Sequence, residues 1–515
     1  MSTSRRCLAA LFAVASTLAS CSHDPAPLAL PAGFLVGAST AGFQVDMGCP
    51  TLAASACTDT HSDWYQYATS PMTRAIARTY LAGEDPAVVG PGHWELFERD
   101  FDLAHADGHT VFRMSLEWSR IFPTSTVGIT GYDALHAAAN ADALAHYHAV
   151  FAALRARGIK PYVTVNHYTL PTWIHDGVGC TVDFDSCTAR GWADPATTVP
   201  EIAKYAGFLG REFGREVDLW ATENEPFAVL LPGYVLPTAS RTNPPAQSLR
   251  TTEAKVVFGA LIDGHARMYD ALHAADTFDA DGDGVAANVG LVYAMAPVAP
   301  RDPTRALDVQ AAQNVFYLWN MAFLNAVVGG RFDANLDGHA VPRADLAGRM
   351  DHLGINYYVR IGVQGASAPV VPALSPLTTF NPLTITQDEI YPRGLYELLT
   401  LVRQQFRVPV MITENDGQGV PRGDLAFEQR VLVETLQWIV RAVSEGSDVR
   451  GYMYWSLMDN YEWNHGTTLP YGLYAVDPRD PTKARVPRVT ARLLARIATE
   501  HAIGADLLAR YPIGN

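Results

Sequence analysis

Lys160-Pro-Tyr-Val-Thr-Val-Asn-His-Tyr168 and Val217-Asp-Leu-Trp-Ala-Thr-Glu-Asn-Glu225 are two runs of similar make. Each is rich in apolar, β-branched and aromatic residues and ends in amides, a histidine or a carboxylate. Nearly continuous apolar runs of this length suit strands covered on both faces, where neither side is left to water. The pattern recurs along the chain at Phe34–Thr40, Thr110–Trp118, Asn288–Met295, His352–Val359, Pro409–Asn415 and Val449–Asp459. Amphipathic segments lie between them, including Asp142–Gly158, Thr252–Ala275, Arg305–Gly330 and Phe427–Ser444. Gly108, Gly158 and Gly330 sit where helices should stop. Strands alternating with helices specify a parallel sheet, and eight strands close a barrel. The expected fold is therefore α/β, a single (β/α)8 barrel with long βα loops over residues 34–515. A doubly wound open sheet is the alternative, but such sheets usually carry a glycine-rich phosphate turn after the first strand. No Gly-x-Gly-x-x-Gly follows Phe34–Thr40.

With 515 residues the chain exceeds an average domain, yet barrels with insertions run past ~400 residues. Hydrophobic residues make up 48% of it, enough for a large core. The formal charge of −15 and the lack of any Lys/Arg-rich run exclude a nucleic-acid surface.

At the N-terminus, Arg5 and Arg6 precede an apolar run from Cys7 to Leu18, then Leu18-Ala19-Ser20-Cys21. That run is shorter than the ~20 residues of a spanning helix and reads as a secretory signal. Residues 1–20 form the expected signal and residues 21–33 a short mature segment. Leu-Ala-Ser-Cys resembles a bacterial lipobox, making Cys21 the expected acylated residue of an exported, membrane-anchored lipoprotein. The alternative is an ordinary signal with an incidental cysteine. Ser4-Arg5-Arg6 also hints at twin-arginine export. The four remaining cysteines, Cys49, Cys57, Cys180 and Cys187, form two sequence-local pairs in a chain bound for an oxidising compartment. Two disulfides are the natural reading, although sequence allows three connectivities. A zinc site fits poorly, because neither spacing is Cys-x-x-Cys.

Barrel active sites form at the C-terminal ends of the strands. Those ends present Gln44, then Glu117-Trp118-Ser119-Arg120, His167, Asn224-Glu225, Asn356-Tyr357-Tyr358, Glu414-Asn415, and Trp455 followed by Glu462-Trp463. Amides, carboxylates, one histidine and tryptophans suit a sugar, whose hydroxyls need donors and acceptors and whose apolar face stacks on indole. Glu225 and Glu414, at the fourth and seventh strand ends, can face each other. Hydrolysis with retention needs two carboxyls roughly 5 Å apart, one a nucleophile and one an acid that later acts as base. The acid must hold its proton near neutral pH, which repulsion from a second carboxylate favours.

In order along the chain, several blocks resemble family-1 glycoside hydrolases, the family of β-glucosidases and β-galactosidases. These are Phe34-Leu-Val-Gly-Ala-Ser-Thr-Ala-Gly-Phe-Gln44, Arg113-Met-Ser-Leu-Glu-Trp-Ser-Arg-Ile-Phe-Pro123 and Asn166-His-Tyr-Thr-Leu-Pro-Thr-Trp-Ile-His-Asp176. Thr222-Glu-Asn-Glu-Pro226, Gly354-Ile-Asn-Tyr-Tyr358, Ile412-Thr-Glu-Asn415 and Trp455-Ser-Leu-Met-Asp-Asn-Tyr-Glu-Trp463 complete the set. The resemblance implies a β-glucosidase-like enzyme with Glu225 as acid/base, Glu414 as nucleophile and no cofactor. It implies that Gln44, His167, Asn224, Glu462 and Trp463 hold the glycone on a Trp455 platform. Tyr358, Arg113 and Asn356 would support the nucleophile. Its substrates would be terminal, unphosphorylated β-glycosides or small oligosaccharides. A catalytically silent sugar-binding barrel and a transglycosidase are the competing readings.

Several positions depart from the family. Asp416 stands where glycine is usual, with Gly417 one residue late, and Val36, Tyr168 and Asp388 replace tryptophans. Glu223, in a place usually apolar and two residues before Glu225, is expected on the same side of the strand, where it would crowd the acid. Finally, Asp279-Ala-Asp281-Gly-Asp283-Gly284 and Asp333-Ala-Asn335-Leu-Asp337-Gly338 have calcium-loop spacing. Neither has an acidic twelfth residue (Gly290 and Ala344), and a polar turn is the alternative at both. Any calcium there would be structural.

Overall fold

The computed structural model describes residues 26–371, 376–416 and 425–514. Eight parallel strands close a barrel: β1 (Leu35–Ser39), β2 (Val111–Ser115), β3 (Lys160–Asn166), β4 (Leu219–Asn224), β5 (Asn288–Ala294), β6 (His352–Asn356), β7 (Val410–Glu414) and β8 (Val449–Trp455). Neighbours in sequence are neighbours in space, and β8 returns to pair with β1. Each expected strand is present, shorter by a few residues where polar side chains leave the wall. Val111, Tyr162, Leu219, Ala221, Val292, Met411 and Met453, drawn from six strands, pack together as the barrel's filling. In β1 a side chain at Gly37 is excluded, since a Cβ would lie 1.9 Å from the Val111 carbonyl oxygen.

Helices follow the strands in turn: α1 (His93–Ala106), α2 (Ala141–Ala156), α3 (Pro195–Phe213), α4 (Thr251–Ala275), α5 (Ala306–Phe316), α6 (Ala322–Gly329), α7 (Arg393–Gln405), α8 (Leu425–Ser444) and α9 (Val489–Glu500). The segment read as one helix over Arg305–Gly330 is divided by a π-helical turn at Tyr317–Met321, which separates α5 from α6. Gly330 ends α6 with φ +61°, a conformation costly to any residue with a Cβ. Among the described residues no helix is long and apolar enough to cross a membrane.

Both disulfides pair sequence-local cysteines: Cys49–Cys57 in the loop after β1 and Cys180–Cys187 in the loop after β3. Each therefore staples a loop on the face where the strands end. The two Asp-Gly loops lie elsewhere. Asp279 accepts the amides of Gly282, Asp283 and Gly284, while Asp218, just before β4, accepts those of Ala280 and Asp281. Lys160, at the start of β3, pairs with Asp281. This loop thus sits at the barrel's N-terminal end, although carboxylate oxygens of Asp218, Asp279 and Asp281 come within 4.8 Å of one another. At the second loop Asp333 accepts the amides of Asp337 and Gly338. Cys21 and Gly417 fall outside the described residues.

Candidate active site

Glu225 follows β4 with φ +44°, in the left-handed region, and Pro226 opens a short helix over Pro226–Leu230. A residue before proline is discouraged from right-handed helical geometry. The chain therefore passes from strand to helix through one left-handed residue, a conformation costing about 1–3 kcal/mol that is found preferentially at functional sites. Glu414 ends β7 and is buried.

Arg113, from β2, organises the floor. It is fully buried, and each of its nitrogens is engaged: Nε donates to Thr164 Oγ1 at 3.0 Å, Nη1 to Glu414 Oε1 at 2.6 Å and Nη2 to Asn224 Oδ1 at 2.7 Å. The Tyr358 hydroxyl donates to the other oxygen of Glu414 at 2.6 Å. Glu225 is held in the same manner, Oε1 accepting from Asn356 Nδ2 at 2.7 Å and Oε2 from the Tyr168 hydroxyl at 2.6 Å. Asn356 Nδ2 also reaches Asn224 Oδ1 at 3.1 Å. An unbroken chain of contacts thus runs from Glu414 through Arg113, Asn224 and Asn356 to Glu225. Burial pushes Glu414 up to about 7; the Arg113 charge and the Tyr358 hydroxyl oppose this, and the Glu225 charge adds to it.

Glu462 accepts from Gln44 Nε2 at 2.8 Å and from Arg241 Nη1 at 3.3 Å. Burial raises it to about 7 as well, with Arg241 the strongest opposing influence. Gln44 Nε2 is shared with Asn460 Oδ1 at 3.1 Å. Between these groups stands an aromatic wall. His167 stacks on Trp455 and on Trp463, each with ring centres 5.9 Å apart, and Asn224 Nδ2 contacts its Nε2 at 3.0 Å. Burial, then the charges of Arg113 and Arg241, hold His167 well below the usual histidine range, so the ring is neutral. Gln44 Oε1 and His167 Nδ1 are buried and have no protein partner among the described residues.

Gln44, Arg113, His167, Asn224, Glu225, Asn356, Tyr358, Glu414, Trp455, Glu462 and Trp463 thus converge on one mouth. Two expectations need correction. Asn356 turns its amide to Glu225, not to Glu414, because Thr413 Oγ1 donates to its Oδ1 at 2.7 Å and fixes the orientation. Glu223 does not crowd Glu225. The β4–β5 register shifts between Ala221 and Asn224, and this bulge turns both Thr222 and Glu223 toward α4. Thr222 Oγ1 meets His265 Nδ1 at 2.6 Å, and Glu223 Oε1 lies 3.2 Å from where a Cβ on Gly264 would stand. A bulge adds a residue to one strand and resets the alternation.

Strand-end reading missed Arg241, which arrives from the loop between β4 and α4 with its guanidinium 5.2 Å from the Tyr168 ring centre and 5.5 Å from that of Trp463. Nothing in its Ser240-Arg-Thr-Asn-Pro-Pro245 surroundings marks it as a site residue. It also missed the hydroxyl of Tyr168, noted in the sequence only as a replaced tryptophan.

A buried carboxylate, Glu414, and a half-buried one, Glu225, at the mouth of a (β/α)8 barrel, within a lining fit for hydroxyls and sugar faces, define a glycoside hydrolase. Comparison with known proteins is more specific. Residues 27–503 match the model of Glycosyl hydrolase family 1, and the chain belongs to that family. A β-galactosidase of Pyrococcus woesei is 32% identical over 499 residues, covering 89% of this chain and 94% of that protein. A β-glucosidase of Agrobacterium is 28% identical over 484 residues, covering 88% and 93%. Among solved structures, the β-glycosidase of Thermosphaera aggregans superposes with a TM-score of 0.78 at 28% identity, covering 95% of this chain and 100% of that one.

Proposed function

We propose that the enzyme is a retaining, exo-acting β-glycosidase that releases a terminal unphosphorylated sugar through a covalent glycosyl-enzyme. The observation that carries this is the matched pair of carboxylates, each oxygen accepting from a donor and the two joined by the Arg113–Asn224–Asn356 chain. Glu414 attacks the anomeric carbon, while Arg113 and Tyr358 favour its ionised form. Glu225 gives its proton to the departing oxygen, then takes one from the water that resolves the intermediate. Asn224 would bond the 2-hydroxyl, a contact that strengthens in the transition state, in exchange for one of the contacts its amide makes to Arg113, Asn356, His167 and Tyr168. Gln44, His167, Glu462 and Trp463 grip the glycone, and Trp455 is its platform. The unpartnered Gln44 Oε1 and His167 Nδ1 are an acceptor and a donor that sugar hydroxyls would satisfy. Glu462 would repel a 6-phosphate. Retention of both carboxylates weighs against a silent sugar-binding barrel.

A 2-fluoro aryl β-glucoside tests the assignment. It should arrest turnover and label the peptide containing Glu414; a label on another residue sinks the nucleophile assignment. Glu225→Ala should slow release of the intermediate, with azide restoring turnover as the β-glycosyl azide.

A further inference from the structure

We propose that Tyr168 is a positioning residue whose hydroxyl stabilises the Glu225 carboxylate left behind when the proton passes to the leaving group. The inference rests on the reading of Glu225 as acid/base. The Tyr168 hydroxyl donates to Glu225 Oε2 at 2.6 Å and accepts from Asn224 Nδ2 at 2.9 Å. The Asn224 amide cannot be reversed, because its Oδ1 already accepts from Arg113 Nη2 and Asn356 Nδ2. The phenol proton is therefore committed to Glu225.

Further observations show that this placement is built. Tyr168 follows β3 with φ +73°, in the left-handed region, where a bulky residue is uncommon and strain is associated with function. Its ring is buried and fixed by Trp463, at 4.8 Å between centres, and by His167, also at 4.8 Å. Burial and the Glu225 charge push the hydroxyl well above the usual tyrosine range, so it keeps its proton and serves only as a donor to the carboxylate. The Glu225 charge also acts on Tyr358 from after β6, Glu414 from β7, Glu462 from after β8 and Arg241 from the β4–α4 loop.

A hydrogen bond to a carboxylate favours the charged form. Glu225 needs that form after its proton has passed to the departing alcohol and until water returns one. Through both transfers Tyr168 keeps its own proton, so the balance of the reaction is unchanged.

Tyr168→Phe keeps the ring and removes only the donor. On aryl β-glycosides the alkaline limb of kcat/KM should move up by about one pH unit, the effect of losing one hydrogen bond to a charged group. Replacing Tyr168 with 3-fluorotyrosine, a stronger donor, should move the limb the other way. A purely structural role would change KM or melting temperature without shifts of opposite sign. The same shifts should appear in carbon-13 titrations of δ-labelled glutamate, with the Glu225 signal assigned against Glu225→Gln. This measurement needs no turnover, so it reads the inference even if aryl glycosides are not cleaved. A Glu225 midpoint that is unmoved in Tyr168→Phe overturns it, while leaving the glycosidase reading intact.

Discussion

Glu223→Met gives a quantitative test of the bulge in β4. Glu223 is 1% exposed, and neither carboxyl oxygen has a partner among the described residues. Burial alone holds it well above its ordinary value of 4.5. Methionine is close in length and apolar, so removing the unsatisfied carboxyl should stabilise the protein by about 1–3 kcal/mol. The effect has a pH signature. Below the unfolded value both states hold the proton, and no stability depends on it. Above that value the unfolded chain has lost the proton while the folded one retains it. Stability then falls by about 1.4 kcal/mol per pH unit until the folded group also ionises. The variant lacks this slope, so its advantage should widen from pH 5 upward. At about 1 °C per kcal/mol for a domain this large, the melting temperatures should separate by ~1.5 °C for each pH unit. Thermal melts of both proteins from pH 4 to 8 would measure it, together with turnover of an aryl glycoside, which should be unchanged. A constant gap, or a variant less stable at pH 8 than the wild type, refutes the buried, unpaired carboxyl. Lost turnover would return Glu223 to the acid role that the bulge takes from it.

Two further outcomes are expected. Arg113→Met leaves Glu414 buried without its ion pair, a loss typically worth about 3–5 kcal/mol. Glu414, already raised to about 7, should take up its proton more readily still. The acid limb of kcat/KM should therefore shift to higher pH and turnover at pH 6 should fall by at least ~100-fold; an unmoved limb would show that Arg113 does not control the nucleophile. For export we propose acylation at Cys21. Cys21→Ala should move the protein from the membrane fraction to the soluble one, and continued membrane association would count against the lipobox.

Much of this protein was legible in its sequence because the signals are local. A strand buried on both faces has to be apolar along its length, so β3 and β4 announce themselves. The residues that end such runs lie at the barrel mouth by topology alone, which placed Glu225, Glu414, Asn224 and His167 together. The cysteine pairs, separated by eight and seven residues, could be paired for the same reason.

Tertiary structure decided what depends on register and on long-range hydrogen bonds. Period-two alternation put Glu223 beside Glu225, and one bulge reversed it, because an inserted residue changes the face of those beside it without any signature in composition. Asn356 goes to Glu225 because Thr413, on the neighbouring strand, occupies its carbonyl oxygen. Arg241 enters from a loop whose residues obey no period, and Tyr168 looks like a lost indole until its hydroxyl is found on Glu225. Sequence determined which groups reach the mouth; the folded chain determined which atom each of them meets.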